Sequence, residues 1–457
     1  MNPGLNTLGR PFSRLLIATA LLAAFPAHAD EQTEIEQLKA QIRELDQKLR
    51  VLDRKQEIAT DEAKAKQKST PVLNASDKGF GLKSADGQFE YKLRGLVHLD
   101  YRQFDGTAFP SAVDGFTARR IRPTFEGTVF GKYGFRFTPE FGENKSAVVD
   151  AYLDARLDPA YQVRVGKFKP FVGLERLQSG SDIKFIERSY VSNNILPNRD
   201  LGVSLFGEVL DKRLSYAVGV FNGVIDGGEN TTTQDVNNGK EFTGRVFATP
   251  FINEDSPLRG LGFGLAGTRG DWKGGSSASG LPDYKTPGQA NKFFSYKANT
   301  YANGTHTRWS PQAYYYNGPF GLIAEYAQVS QPLVNGATTA SVTNSAWQVA
   351  ASWLLTGEDA SFKGVKPYSP FRAGADGGWG AFEVLLRYQE NDVDSTLPAA
   401  FRPASYALKA KSTATGFNWY LNESSRLALN YELTRLEGGT LDGKTEHFLV
   451  ARYQLAF

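Results

Sequence analysis

The chain has 457 residues, of which 41% are hydrophobic and 12% aromatic, with 46 glycines, one methionine and no cysteine. The missing cysteine excludes disulfide scaffolds, thiolate zinc centres and cysteine nucleophiles, and 52 Lys+Arg against 49 Asp+Glu exclude a strongly basic nucleic-acid binder. A mean hydropathy of −0.38 with one short apolar run excludes a bundle of spanning helices, each of which needs roughly 20 apolar residues.

That run opens the chain. Arg10 and Arg14 precede Leu15–Phe25, and Ala27-His28-Ala29 follows, so residues 1–29 read as a secretory signal peptide. A membrane anchor is the alternative, but the run is too short to span. Export through an oxidising compartment suits a chain without cysteine.

Residues 30–77 have a different grammar. Ile35, Leu38, Ile42, Leu45, Leu49 and Leu52 recur at spacings of three and four among charged residues, the a/d stripe of a periplasmic coiled coil followed by a linker. Ile at a and Leu at d lean towards a dimer on packing alone. A free charged helix is the alternative, although short isolated helices are marginal in water.

From Gly79 the period becomes two. Phe89, Tyr91, Leu93, Val97, Leu99 and Tyr101 alternate with polar residues, and the pattern recurs through Tyr133–Phe141, Leu201–Val209, Trp347–Leu355, Phe382–Tyr388 and Leu427–Leu433. Residues 78–457 therefore predict an all-β domain, a transmembrane antiparallel β-barrel of about sixteen strands. The strands are expected to begin near residues 88, 117, 133, 147, 161, 201, 213, 242, 261, 306, 319, 344, 379, 404, 425 and 446. Pro123, Pro139 and Pro311 are expected at strand ends or bulges. Residues 169–200, 270–305 and 356–378 are too long for turns; Asp182–Arg188 has a helix-like pattern and could fold into the lumen. The terminal strand ends on Phe457, which resembles the insertion signal read by the barrel-assembly machinery of Gram-negative outer membranes.

Cations crowd into residues 119–188, among them Arg119, Arg120, Arg122, Arg164, Lys167, Lys169, Arg176, Lys184 and Arg188. Basic groups converging on a low-dielectric constriction focus a field that attracts anions. The competing reading is a salt-bridged wall, since Glu126, Glu140, Asp150, Asp154, Glu175 and Glu187 are interleaved. Bases outnumber acids here, which favours a net-positive eyelet. Aromatic residues on the apolar phase, including Tyr133, Trp353 and Tyr453, suit lipid girdles, the favoured use. Stacking on sugars is the alternative for any that face inward, especially Tyr314–Tyr316, of which Tyr315 opposes its neighbours. The mature histidines, His98, His306 and His447, sit in neither HExxH nor a GxSxG elbow, so no catalytic, metal or cofactor site is expected.

Several segments resemble the phosphate-selective porin O/P family of outer-membrane channels. They are Ala118-Arg119-Arg120, Asp150-Ala151-Tyr152-Leu153-Asp154, Val165–Phe171, Gly173-Leu174-Glu175-Arg176 and Ile186-Glu187-Arg188. The resemblance implies a sixteen-strand homotrimeric barrel in outer-membrane lipid, with inward-folded loops and basic residues guiding inorganic anions such as phosphate. Arg119, Arg120, Arg176 and Arg188 match the family's basic positions, and with the cation cluster the anion-binding constriction is expected at Arg119, Arg120, Arg122, Lys167, Lys169, Arg176, Ser179, Ser181 and Arg188. The chain departs from the phosphate pattern where Ser179-Gly180-Ser181 replaces Ser-Ser-Lys, and where Arg122 and Lys169 replace aromatic residues. It also lacks an arginine-rich loop between 268 and 308. A general or carbohydrate porin, or a cell-envelope tether or adhesin, are the other functions considered.

Overall fold

The computed structural model describes residues 31–230, 238–374 and 377–457. The proposed signal peptide lies outside them. Two units are present, residues 1–69 and 70–457. The first contains helix α1 (Glu31–Ser69), as the three-four spacing predicts, and its Ile35, Leu38, Ile42, Leu45, Leu49 and Leu52 are all exposed in the single chain.

The second unit is a closed antiparallel barrel of sixteen strands, as the alternation predicts. Its first half comprises β1 (Glu90–Gly106), β2 (Gly115–Val129), β3 (Tyr133–Glu140), β4 (Ala147–Asp158), β5 (Tyr161–Phe168), β6 (Asp200–Val209), β7 (Leu214–Phe221) and β8 (Glu241–Ala248). The second half comprises β9 (Leu261–Lys273), β10 (Thr300–Asn317), β11 (Phe320–Asn335), β12 (Thr338–Leu354), β13 (Ala381–Asp392), β14 (Lys409–Tyr420), β15 (Ser425–Glu437) and β16 (Thr445–Ala456). Each expected start falls on one of these strands or within six residues of it. Each strand pairs with its chain neighbours, and β16 closes on β1 from Glu446↔Gly106 to Ala456↔Leu96. Closure leaves no open edge. With an even count, both ends of the barrel chain lie at one end of the cylinder, called here the terminal end.

Alternation sorts the side chains. Leu99, Leu153, Val165, Val203, Val218, Phe263, Trp309, Trp353, Leu386, Leu429 and Tyr453 form an exposed apolar outer face. His98, Asp100, Arg120, Arg387, Gln389, Arg426, Glu432 and Arg452 are buried on the inner side. This apolar-out, polar-in order is the reverse of a soluble sandwich and is what a lipid-facing barrel requires. No helix among the described residues is long and apolar enough to cross a membrane.

At the seam, Phe457 N donates to Gly95 O (3.0 Å) and Gly95 N donates to Phe457 O (2.8 Å). The Phe457 ring covers Gly95, where a Cβ would come within 2.5 Å of it, and meets Phe80 edge-on at 5.8 Å. Phe80 belongs to a short hairpin (Val72–Ser76 and Gly79–Lys83) that continues pairing along β1 beyond the chain terminus.

Two of the three prolines fall where the ladder opens, and Pro311 departs from the expectation. Pro139 sits at a bulge in β3, as expected. Pro123 lies inside β2, not at its end, but the β2–β3 pairing starts only at Phe125↔Phe137, so its missing N–H breaks no bond on that side. Pro311 lies inside β10 with no shift of register.

The long connection after β5, residues 169–199 (here L3), folds into the barrel. The expected helix at 182–188 is absent: this stretch is irregular, flanked by the short helices Leu174–Leu177 and Val191–Ile195. Its peptide groups are taken by the opposite wall instead. Arg426 Nη1 donates to Ile183 O (2.8 Å), Asn418 Nδ2 to Lys184 O (3.1 Å), Arg452 Nη1 to Ile186 O (2.8 Å) and Arg387 Nη1 to Glu187 O (3.0 Å). Asn430 and Gln389 accept from Ile186 N and Tyr190 N. Wall side chains thus replace the hydrogen bonds a helix would have made. Above L3, Tyr190, Ile195 and Leu196 pack with Tyr284, Phe293 and Phe294 from residues 274–299 and with Phe401.

Replacing Gly95 with Val should push the Phe457 ring off the seam and destabilise the barrel by about 1–3 kcal/mol. Urea unfolding of the folded band on unboiled gels would register the loss, whereas an unchanged midpoint would mean the ring contributes nothing to closure.

Candidate pore constriction

The inward side of β2 carries three arginines in four residues, which strict alternation forbids. Pairing of His98 with Arg120 and of Leu99 with Ala118 leaves Arg119 as an extra residue, a β-bulge. The bulge turns Arg119 to the same side as Arg120 and Arg122. Its guanidinium reaches Glu187 of L3 (2.7 Å) and Glu143 (3.2 Å).

Two chambers meet beside these arginines. The larger, about 920 Å³, opens towards the terminal end and is lined by residues including Arg94, Arg136, Arg164, Arg426, Ser179 and Ser181. The smaller, about 150 Å³, lies beyond L3. Arg122, Lys169 and Arg199 line both chambers and so stand at their boundary. The smaller chamber is bounded by Arg119, Arg120, Arg122, Lys145, Lys169, Arg176, Arg188 and Arg199, against only Glu140 and Glu229.

Pairing decides how much of that charge is available. Arg122 is held by Glu140 (2.6 Å), Arg199 by Asp150 (2.8 Å), and Arg119 by Glu187 and Glu143. Glu187 is also bound by Arg102 (2.6 Å). Burial alone would raise the Glu187 carboxyl, but Arg119 first, then Arg102 and Arg120, hold it well below the usual carboxylate range. It therefore remains a fixed anion that clamps L3 to the wall.

Four of the smaller chamber's cations have no carboxylate partner among the described residues. Lys169 Nζ donates to Gln178 O (2.8 Å), and Arg188 donates to the carbonyls of Gln178 (2.8 Å) and Glu175 (3.4 Å). Arg176 donates to Ser192 O and to Asn198 Oδ1 (3.1 Å), and its Nε has no partner. Arg120 Nη1 lies 3.0 Å from His98 Nδ1. An arginine can only donate, so His98 Nδ1 accepts and its Nε2–H donates to Gln454 Oε1 (2.9 Å), which makes His98 a neutral ring. Arg120 Nε is likewise unpartnered. Carbonyls and a neutral imidazole compensate a buried cation only in part.

The remaining predicted positions lie elsewhere. Ser179 and Ser181 line the larger chamber but not the smaller, and Ser181 Oγ is bonded to Ser179 Oγ (2.9 Å) and Asp182 (2.8 Å). Lys167 lines neither chamber. It pairs in register with Ala151 and Leu201, next to Gly166 with its positive φ, and its side chain is buried. Arg199 and Lys145 belong to the site although the motifs did not mark them; Arg199 immediately precedes β6, outside the 119–188 run. Tyr314 and Tyr316 face inward beside Phe362 and Tyr420, so only Tyr315 fits the girdle expectation.

A closed sixteen-strand barrel with an apolar outer face, a polar lumen and a loop folded to its waist is the architecture of an outer-membrane porin. The chain belongs to the phosphate-selective porin O and P family, whose model matches residues 89–457. Porin O of Pseudomonas aeruginosa is 23% identical over 390 residues, covering 77% of this chain and 84% of that protein. Among solved structures, the anion-selective porin from Comamonas acidovorans matches with a TM-score of 0.52 at 13% identity, covering 81% of this chain and 100% of that one. The outer-membrane channel DcaP of Acinetobacter baumannii also gives 0.52, at 14% identity, covering 83% and 99%. These two share the fold.

Replacing Glu187 with Gln removes the anion shared by Arg102 and Arg119. Thermal unfolding should show a loss of about 3 kcal/mol, and the zero-current potential in a salt gradient should move further towards the anion side. A shift towards cations would mean that Glu187 does not face the conducting path.

Proposed function

We propose that this porin passes small hydrophilic anions, phosphate or phosphate-bearing solutes among them, by passive diffusion past Arg122, Lys169 and Arg199. The observation that carries the reading is the charge balance of the smaller chamber, where eight cations face two carboxylates. Guanidinium groups present planar forks to phosphate oxygens, and Lys169 adds a mobile point charge. The same cations repel positive solutes in a low-dielectric setting, where the field is strong. Family membership supports this reading. Arg119, Arg120, Arg176 and Arg188 supply the surrounding field. The chain acts as a channel rather than as an enzyme.

The working assembly proposed is a homotrimer embedded in lipid through the apolar face, inserted by the barrel-assembly machinery through the strand ending in Phe457. Helix α1 is placed in the periplasm, where copies bury one another's exposed Ile and Leu stripe.

Two experiments test the parts separately. Replacing Arg122, Lys169 and Arg199 together with Glu should reverse ion preference in planar bilayers. Retained anion preference would place these residues outside the conducting path. Deleting Glu34–Asp53 should leave single-pore conductance unchanged while weakening assembly or periplasmic attachment; a large fall in conductance would mean that the segment enters the lumen.

A further inference from the structure

The larger chamber has an aromatic wall that the passage of inorganic anions does not use. Arg164 is neutralised by Asp154 (2.7 Å) and rests on the Tyr152 ring at 4.0 Å. The same guanidinium lies over Phe171 (5.6 Å) and Phe206 (5.3 Å), a half-buried pair with centroids 4.8 Å apart whose remaining surface lines the chamber. Half-exposed rings in a water-filled lumen are poorly hydrated surface, available to another apolar face.

Strand register adds a charge at a set distance. Phe206 on β6 lies opposite Ala217 on β7, and Ala217 lies opposite Arg245 on β8. The inward row thus reads ring, methyl, guanidinium across three strands. At about 4.8 Å per strand, the ring and the guanidinium stand about 10 Å apart at their backbones. Ala217, with Ser215 beside it, leaves the floor between them low, and all four residues line the chamber. Arg245 donates through Nε to Gln312 Oε1 (3.0 Å) and lies over Phe247 at 4.5 Å, with no ion-pair partner among the described residues. These contacts hold the guanidinium by one edge and one face, leaving its Nη groups without a carboxylate.

We propose that this recess is a second solute site, taking an organic phosphate or carboxylate carried on a single planar ring, with the ring on Phe171 and Phe206 and the anionic head on Arg245. It rests on the anion-channel reading and deepens it: the pore passes ring-bearing anions in preference to alkyl anions of equal charge. The recess lies on the terminal-end side of the boundary cations, so a solute meets the two sites in sequence.

The test uses the full-length channel in planar bilayers, with block of chloride current by phenyl phosphate compared with methyl phosphate. Phenyl phosphate should block at about tenfold lower concentration, the size of one good aromatic contact. F206L should remove that advantage, and R245Q should weaken the block by phenyl phosphate, while block by methyl phosphate stays unchanged in both. Equal block by the two esters in the unaltered channel would overturn the proposal. So would variants that weaken both esters alike, because that reports a general change of pore shape. The two readings fail separately: a cation-preferring pore overturns the proposed function, whereas an anion pore indifferent to the ring overturns this one.

Discussion

The geometry of the pore depends on how the barrel wall holds the backbone of L3. Arg387, Arg426 and Arg452 are fully buried arginines on β13, β15 and β16, and each donates to a main-chain carbonyl of residues 183–187. A loop carried into a lumen brings unsatisfied peptide groups with it, each costing about 1–3 kcal/mol if left without a partner. The wall removes that penalty with side chains of which two are balanced by carboxylates, Arg452 by Asp100 (2.6 Å) and Arg387 by Glu432 (3.1 Å), while Arg426 also donates to Gln454 Oε1 (2.8 Å). One side of the barrel is thus committed to anchoring L3, and Arg122 and Arg199 at the chamber boundary stand on the other.

Selectivity follows from that division of labour. The anchoring side uses its carboxylates on its own arginines, so few remain for the cations that L3 presents across the lumen. Arg176, Arg188 and Lys169 end on carbonyls, and Arg120 ends on a neutral histidine. Net chain charge is a poor guide to such a pore. A nearly balanced sequence places its acids where they pair and its excess bases where solutes pass.

The fold was legible because a β-barrel writes its geometry locally. Alternation over each strand and a change of period at Gly79 need no knowledge of distant partners, and all sixteen strands follow from them. The site was legible only in part. Arg119, Arg120, Arg122, Lys169, Arg176 and Arg188 do converge, but the bulge that turns Arg119 inward depends on its pairing with β1. The irregular path of 182–188 depends on partners 200 or more residues away in sequence, Arg387 to Arg452, so a local helical pattern lost to tertiary capture. Arg199 joins the boundary only because L3 returns its end to the wall beside Asp150.

The central claim is that the cations at the chamber boundary form an anion site. Arsenate, a phosphate mimic with an anomalous X-ray signal, tests it most directly in crystals of the intact channel. The account predicts an anomalous peak within hydrogen-bonding distance of Arg122, Lys169 and Arg199, lost when Lys169 is replaced by Glu. Arsenate bound elsewhere in the lumen, with that boundary empty, would contradict it.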